Sequence, residues 1–173
     1  MVDMHVVSVE ELRPVLAVLT NLQWPIPFEQ APSIVEQRGW SMFGKKTALS
    51  TLPVSLQIVG LNALDGYLSR VDFRVSDTVT DADDVERQAL MEAYQSMVDT
   101  VTICLGFKPT GPLWVDPGVK WDLPTGGRIN LYRGTSTVSI EVWSPELSKV
   151  EQRAIAHGID PERTVEEVDS CSS

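Results

Sequence analysis

Five short segments of this chain alternate apolar and polar residues with a period of two, and this alternation constrains the fold most. The segments span residues 54–58, 70–76, 119–123, 129–131 and 138–142. Because successive side chains of a β-strand point to opposite faces, each segment predicts a strand with one apolar and one polar face. An antiparallel sheet can leave one face in water. The sequence therefore predicts an antiparallel sheet of about five strands.

Turn-forming residues separate these segments. Residues 62–66 lie between the first two segments, and glycine-containing turns at 124–127 and 133–135 lie between the last three. Glycine tolerates the positive φ angles that many tight turns require. Short connections of this kind join neighbouring antiparallel strands, so we predict that the last three strands form a meander.

Helical patterns occupy much of the remaining chain. Ser8 and Glu11 have the spacing of a capping box, although Pro14 predicts that the regular helix begins near Arg13 or that its first turn is separate. Further helices are predicted at 32–38, from about 80 to 105, and from 144 to 158. Helices combined with antiparallel strands predict an α+β fold, in which the helices pack on one face of the sheet.

The chain length and the composition of its end predict the domain organisation. A chain of 173 residues fits one domain, and we assign residues 1–160 to a single α+β domain. Residues 161–173 are acidic and rich in serine. We expect this C-terminal segment to be a flexible tail.

The charge balance restricts the partners. The chain has 24 acidic and 14 basic residues, which gives a formal net charge of −10. Such a chain is repelled by nucleic acid and by anionic membranes. The acidity either serves only to keep the protein soluble or attracts a protein partner that is basic or has a cationic cleft. Cys104 and Cys171 form no disulfide framework, and we find no signal peptide and no membrane-spanning run. We expect a cytoplasmic protein.

The residues that could carry chemistry have ordinary structural explanations. His157 lies where a helix is predicted to end, a position that favours a cation. The carboxylates between Asp81 and Glu86 precede a helix, where free amides favour negative charge. Glu141 and Glu146 could form a glycosidase pair, but they fall on the polar face of a strand and in the first turn of a helix. We predict no catalytic residue, no metal site and no cofactor.

The turn after residue 123 has two interpretations, a plain hairpin turn or a projecting contact loop. Two consecutive glycines allow a backbone to approach a partner closely, and aromatic and arginine side chains are enriched at interfaces. Trp143 falls on the polar face of its predicted strand, where it could anchor a partner. The predicted partner-binding residues are Pro124, Thr125, Gly126, Gly127, Arg128, Tyr132 and Trp143.

Several short patterns together resemble a known group of proteins. They are Trp24-Pro25, Gly39-Trp40, Trp121 ahead of residues 126–131, and residues 138–143 followed by Ser144-Pro145. The chain resembles a family of small acidic actinobacterial proteins of otherwise unassigned function, and within it the immunity factors that neutralise toxins of the tuberculosis necrotizing type. The resemblance implies a cytosolic inhibitor that binds an NAD glycohydrolase toxin stoichiometrically and blocks its cofactor cleft. An inhibitor of this kind needs no catalytic residues of its own.

Three functional hypotheses follow. The first is an immunity protein, or antitoxin, that occludes the active site of a cognate toxin. The second is a chaperone for a secreted effector, which would also be acidic and cytosolic. The third is an enzyme that uses an unrecognised pocket between sheet and helix for a small ligand. Inhibition of a toxin, a change in the solubility of an effector, and turnover of a small molecule distinguish the three.

Overall fold

One eight-stranded antiparallel sheet is the framework of the computed structural model, which describes residues 4–80, 83–115 and 117–158. The strands are β1 (Ser41–Met42), β2 (Thr47–Leu49), β3 (Ile58–Leu64), β4 (Tyr67–Arg74), β5 (Gly111–Pro112), β6 (Gly118–Asp122), β7 (Arg128–Arg133) and β8 (Val138–Trp143). The helices are α1 (Val9–Leu19), α2 (Ala31–Gln37), α3 (Asp84–Leu105) and α4 (Pro145–Ala156). The predicted α+β class is confirmed.

The sheet consists of two four-stranded meanders that meet at its centre. Its strand order is β1-β2-β3-β4-β8-β7-β6-β5, and every pair is antiparallel. The predicted meander of the last three long strands is confirmed as β6, β7 and β8. The pairing of β4 with β8 is the only contact between strands that joins the two meanders within the described sheet.

The prediction of about five strands is wrong, because the sheet has eight. The three additional strands are β1, β2 and β5, which contain only two or three residues each. A segment of that length cannot show an alternating pattern.

The predicted strand at 54–58 is also misplaced, because the extended segment begins only at Ile58. Residues 52–57 form a loop in which the Val54 amide donates to the Leu52 carbonyl at 2.8 Å. Of the alternating apolar residues Val54, Leu56 and Ile58, only Val54 is buried, and it lies in this loop. β3 instead buries Val59 and Leu61, which are out of phase with the predicted pattern. β3 continues to Leu64, and the turn is confined to Asp65 and Gly66.

The hydrophobic core lies on the face of the sheet that α1, α2 and α3 cover. From the central strands it receives Val71, Phe73, Ile140 and Val142, all at most 3% exposed. α3 packs against β7 and β8, and α1 packs against α3. Three helices therefore shield one face of the sheet from water, as the sequence predicts.

The fourth helix departs from the prediction that all helices lie on one face. Glu151 of α4 binds the guanidinium of Arg128 on β7. The neighbouring residue Ile129 points into the core, so the Arg128 side chain projects from the opposite face. α4 is therefore held on the face that the other helices leave open. Its buried Ala154 lies outside the main core.

The helix starts follow the predicted capping signals. The Ser8 hydroxyl accepts from the Glu11 amide at 3.2 Å, and the Glu11 carboxylate accepts from the Ser8 amide at 3.0 Å. Pro14 neither delays nor divides α1, contrary to the prediction. Pro14 is exposed and leaves only the carbonyl of the exposed Glu10 without its helical donor, so water can satisfy that group.

Two further predictions concern the limits of the described chain. The predicted domain boundary at residue 160 and the predicted tail at 161–173 lie outside the described residues. Among the residues that are described, no helix is both long enough and apolar enough to cross a bilayer.

The packing of the core predicts a large loss of stability when a buried side chain at the centre of β7 is shortened. Leu131 is fully buried, so Leu131→Ala should lower the free energy of unfolding by about 2–5 kcal/mol. Val85→Ala is the matched control, because Val85 is 56% exposed and should change the value by at most about 0.5 kcal/mol. Urea unfolding followed by tryptophan fluorescence measures both. Equal effects of the two variants would contradict the assignment of the core.

Candidate functional site

A groove of about 750 Å³ opens at one end of the sheet, where three connections and the start of α4 converge. The loop after α1, the turn between β3 and β4, the turn between β6 and β7, and α4 each supply one side. Its most prominent lining residues are Trp24, Pro25, Tyr67, Thr125, Val150 and Arg153. Its volume lies in the range of about 300–1,000 Å³ that is typical of ligand pockets. We refer to this feature as the groove.

The wall formed by the loop after α1 is fixed by hydrogen bonds to β4. The Leu68 amide donates to the Ile26 carbonyl at 2.8 Å, and the Phe28 amide donates to the Gly66 carbonyl at 3.0 Å. Pro27 and Tyr67 form an isolated antiparallel bridge between these bonds. The loop therefore lies against the start of β4 like a short extra strand, and Trp24 and Tyr67 are held on the same groove.

The predicted contact loop is the turn between β6 and β7, and it forms the opposite rim of the groove. Pro124, Thr125 and Gly126 are exposed, and we call these three residues the hairpin tip. The turn is closed by two backbone hydrogen bonds of 2.9 Å, from the Gly126 amide to the Leu123 carbonyl and from the Leu123 amide to the Gly127 carbonyl. The interpretations of this turn as a hairpin and as a projecting loop are thus compatible.

The two glycines of the turn have local structural roles. Gly126 has a φ of 90°, which side chains disfavour, and a Cβ there would lie 3.3 Å from the Pro145 ring. A Cβ on Gly127 would lie 2.9 Å from the carbonyl oxygen of Trp143. The backbone of the turn is therefore packed closely against the β8–α4 junction. Substitution of either glycine perturbs this packing and cannot by itself test an interface.

Arg128 is a buried anchor and does not present its charge to solvent. Its side chain is 2% exposed, and its guanidinium forms two hydrogen bonds with Glu151, at 3.0 Å and 2.6 Å. The guanidinium carbon also lies 4.1 Å from the centre of the Trp143 ring, a cation–π geometry. This single side chain connects β7, β8 and α4. It fixes the rim of the groove, and its guanidinium is occupied by Glu151 and Trp143.

The remaining predicted contact residues lie away from the hairpin tip. Tyr132 is four residues beyond Arg128 on β7, which corresponds to about 13 Å along the strand. Burial, followed by the nearby charge of Glu141, raises the pKa of the Tyr132 hydroxyl. Trp143 is half-buried beneath Arg128. The structure therefore exposes Pro124, Thr125 and Gly126 together at the tip, whereas Gly127 and Arg128 are buried directly below it and Tyr132 and Trp143 are half-buried.

A cluster of charged and polar residues continues along the open face of the sheet. Arg70 lies 3.4 Å from Glu141 and 3.6 Å from Asp72, measured between the nearest nitrogen and oxygen atoms. The Glu141 carboxylate also accepts from the Asn130 amide at 3.3 Å and from the Trp143 indole at 3.2 Å. Burial raises the pKa of Glu141, although Arg70 and the Asn130 hydrogen bond act in the opposite direction. We call Arg70, Asp72, Asn130 and Glu141 the charged cluster.

Sequence reasoning missed most of the groove. Trp24 and Pro25 were noted only as part of the resemblance, and Tyr67, Val150 and Arg153 were not predicted as site residues. The available signal was weak, since Tyr67 sits beside a turn and is 47% exposed while Val150 is 41% exposed. Tyr67 and Val150 are far apart in the sequence, so only the fold shows that their exposed side chains share one groove and could form a binding surface.

The other candidates for chemistry have the structural roles that the sequence predicts. His157 is the residue at the C-terminal end of α4. Asp83 caps α3, where its carboxylate accepts from the Glu86 amide at 2.8 Å, whereas Asp81 lies outside the described residues. Glu146 is on the groove, and Glu141 belongs to the charged cluster. In the described part of the chain, no three His, Cys, Asp or Glu residues are grouped so that they could hold a metal ion.

The fold and the groove define an α+β protein with one open sheet face and a concave surface at the end of that face. The chain belongs to a family of unknown function, DUF6301, which matches residues 10–144. The match includes the hairpin tip and the charged cluster, and it ends at the serine that caps α4. No curated protein and no solved structure matches the chain.

Removing one partner of the buried Arg128–Glu151 ion pair should strongly lower the stability of the protein. Glu151→Gln leaves the Arg128 guanidinium buried without a countercharge, so the free energy of unfolding should fall by about 3–5 kcal/mol. The double variant Arg128→Met with Glu151→Leu removes both charges and should be less damaging than the single variant. Lys149→Ala is the control, because its pair with Glu146 is exposed and contributes at most about 1 kcal/mol. Chemical denaturation measures all three, and a neutral Glu151→Gln would contradict the role of this pair.

The raised pKa of Glu141 predicts a dependence of stability on pH. A carboxyl that is protonated more readily in the folded state contributes stability below its ordinary pKa of 4.5, and this contribution is lost as the pH rises through the raised value. Glu141→Gln has no such titration. The free energy of unfolding of the wild type should therefore fall relative to that of the variant as the pH rises from below 4.5. Denaturation at a series of pH values measures this difference, and a difference independent of pH would contradict it.

Proposed function

We propose that this protein is an immunity protein that binds a cognate toxin and occludes the active site of that toxin. The hairpin tip is the element that enters the toxin, and the groove receives part of the toxin surface. The observation that carries the proposal is the exposure of Pro124, Thr125 and Gly126 on a turn whose base is fixed. Binding by occlusion requires a rigid projection of this kind and no chemistry in the inhibitor.

The packing below the hairpin tip supports a preorganised contact. The Gly127 backbone lies against the β8–α4 junction, and the next residue, Arg128, is held by Glu151 and stacked on Trp143. Fixing a contact element before binding reduces the conformational entropy lost on association. The tip can therefore contribute to affinity although it contains few atoms.

The charge of the chain supports a partner with a cationic cleft. The net charge of −10 creates a field that attracts a positively charged surface and accelerates the encounter. Asp65 and Glu146 are exposed carboxylates on the groove beside the hairpin tip. An enzyme that binds a phosphate-containing cofactor such as NAD has a cationic site to which these groups are complementary. The resemblance described above points to the same class of target, an NAD glycohydrolase.

The decisive experiment is affinity capture with the full-length chain from the cytosol of its source, followed by an activity assay. We expect a toxin domain at equal stoichiometry, with its NAD⁺ hydrolysis suppressed in the complex. A chaperone would instead raise the soluble yield of its client and leave turnover unchanged. Because the volume of the groove also suits a small ligand, turnover of a small molecule by the purified chain alone would favour the enzyme hypothesis.

The hairpin tip offers a direct test of the interface. Thr125→Arg places a long cationic side chain on the rim that faces a cationic cleft, so it should weaken toxin binding at least about tenfold. Thr135→Arg is the matched control, since Thr135 is an exposed threonine in the hairpin turn at the other end of β7. Surface plasmon resonance measures the affinities, and thermal melting confirms that both variants fold. Equal affinities of the two variants would remove the tip from the interface.

A further inference from the structure

We propose that the groove binds an extended, proline-containing segment of the partner that carries a basic residue. This inference deepens the proposed function, because it names the partner chemistry that the groove receives while the hairpin tip contacts the partner beside it. It depends on the groove lining and would hold for any partner that presents such a segment.

The groove is built from flat rings. Trp24 and Tyr67 supply aromatic surfaces, and Pro25 and Pro145 supply pyrrolidine rings. Segments in the polyproline II conformation dock into aromatic-lined grooves, where their rings and stems pack against the flat side chains. Such segments lose little conformational entropy on binding because they are already extended. A groove of about 750 Å³ has room for a few residues of such a chain.

The groove also presents hydrogen-bond donors suited to this backbone. A polyproline II segment has no internal hydrogen bonds, so its carbonyl oxygens seek external donors. Among the described residues, no hydrogen-bond partner is found for the Trp24 indole N–H, the Tyr67 hydroxyl or the Arg153 guanidinium. Donors on three residues that line one groove match the unpaired carbonyls of an extended ligand. An α-helical ligand would offer no such carbonyls along its length.

The charges of the groove select the basic residue. Asp65 and Glu146 are exposed carboxylates on the groove, and Glu146 is paired only with the exposed Lys149, at 3.4 Å. An exposed pair of this kind is weak and can be replaced by a better-placed cation. A lysine or arginine of the ligand can therefore pair with one of these carboxylates. Arg153 remains available for a backbone carbonyl.

The test uses the purified full-length chain and labelled peptides of about ten residues, titrated by fluorescence anisotropy. The first peptide is an oligoproline with one arginine, the second is an oligoproline without charge, and the third is a glycine-serine peptide with one arginine. We expect the first peptide to bind most tightly, the second about threefold more weakly, and the third not to bind measurably.

Variants locate the binding. Tyr67→Ala should weaken binding of the arginine-containing oligoproline about tenfold or more, because it removes an exposed aromatic surface from the groove. Trp114→Ala is the matched control, since Trp114 is an aromatic residue that is 57% exposed and does not line the groove. Asp65→Asn combined with Glu146→Gln should abolish the preference for arginine and leave binding of the uncharged oligoproline unchanged. Thermal melting confirms folding of each variant.

The outcomes separate this inference from the proposed function. The inference about the groove is overturned if neither oligoproline binds at millimolar concentration. It is also overturned if the Tyr67→Ala variant binds the arginine-containing oligoproline as tightly as the wild type does. Equal binding of the glycine-serine peptide overturns the requirement for proline. If a toxin is captured but the Tyr67→Ala variant keeps full affinity for it, the proposed function stands and the groove inference fails. If the peptides bind as expected but no toxin is captured, the groove inference stands and the proposed function fails.

Discussion

The pairing of β4 with β8 is the interaction on which the rest of the structure depends. It is the only strand pairing that joins the two meanders of the described sheet, and its residues face in two directions. On the covered face, Val71 lies opposite Val142 and Phe73 lies opposite Ile140, and all four are buried in the core. Burial of this apolar face stabilises the pairing and fixes its register, because a shift of either strand by one residue would turn its two core side chains to the open face.

The same register creates an electrostatic problem on the open face. It places Asp72 directly opposite Glu141, and like charges at paired positions destabilise a sheet. Arg70 lies close to both carboxylates, and Glu141 also accepts hydrogen bonds from Asn130 and Trp143. The charged cluster is therefore a consequence of the register that the core imposes, and this structural explanation is sufficient for its residues.

The open face in turn positions the groove. Trp143 donates to Glu141 at one side and stacks beneath Arg128 at the other, and Arg128 binds Glu151 of α4. α4 is thereby held on the open face, with Val150 and Arg153 on the groove. A continuous series of contacts thus leads from the centre of the sheet to the rim of the groove. The groove therefore lies at the end of a series of contacts that begins on the polar side of the β4–β8 pairing.

The sequence predicts the parts of this fold that depend on local patterns. The alternation in residues 118–143 and the glycines between the strands predict β6, β7 and β8, and Ser8 and Asp83 predict helix starts. The alternation of Val54, Leu56 and Ile58 misplaced β3, because Val54 is buried in a loop whereas the strand itself buries Val59 and Leu61. A short alternating pattern therefore fixes neither the start of a strand nor which of its residues face the core.

The placement of α4 and of the groove could not be predicted, because both depend on contacts between distant residues. Arg128 and Glu151 are 23 positions apart, and arginine is seldom fully buried unless it is paired. From the sequence, Arg128 beside two glycines indicates a surface contact residue. The structure reverses that expectation for Arg128 and leaves Thr125 and its two neighbours exposed. The predicted contact residues of this turn therefore divide into an exposed tip and a buried base, a division that the sequence does not show.

In the proposed complex, that division is also the physical basis for recognition at this end of the molecule. Exposed elements bind with less entropic cost when buried elements below them are fixed. Here the buried set is Gly127, Arg128 and Glu151, and the exposed set is the hairpin tip. Thr125 belongs both to the tip and to the groove lining, so the projection and the concavity form one continuous surface. A partner that receives the tip must therefore also lie over the groove, and the two contacts reinforce each other through one rigid base.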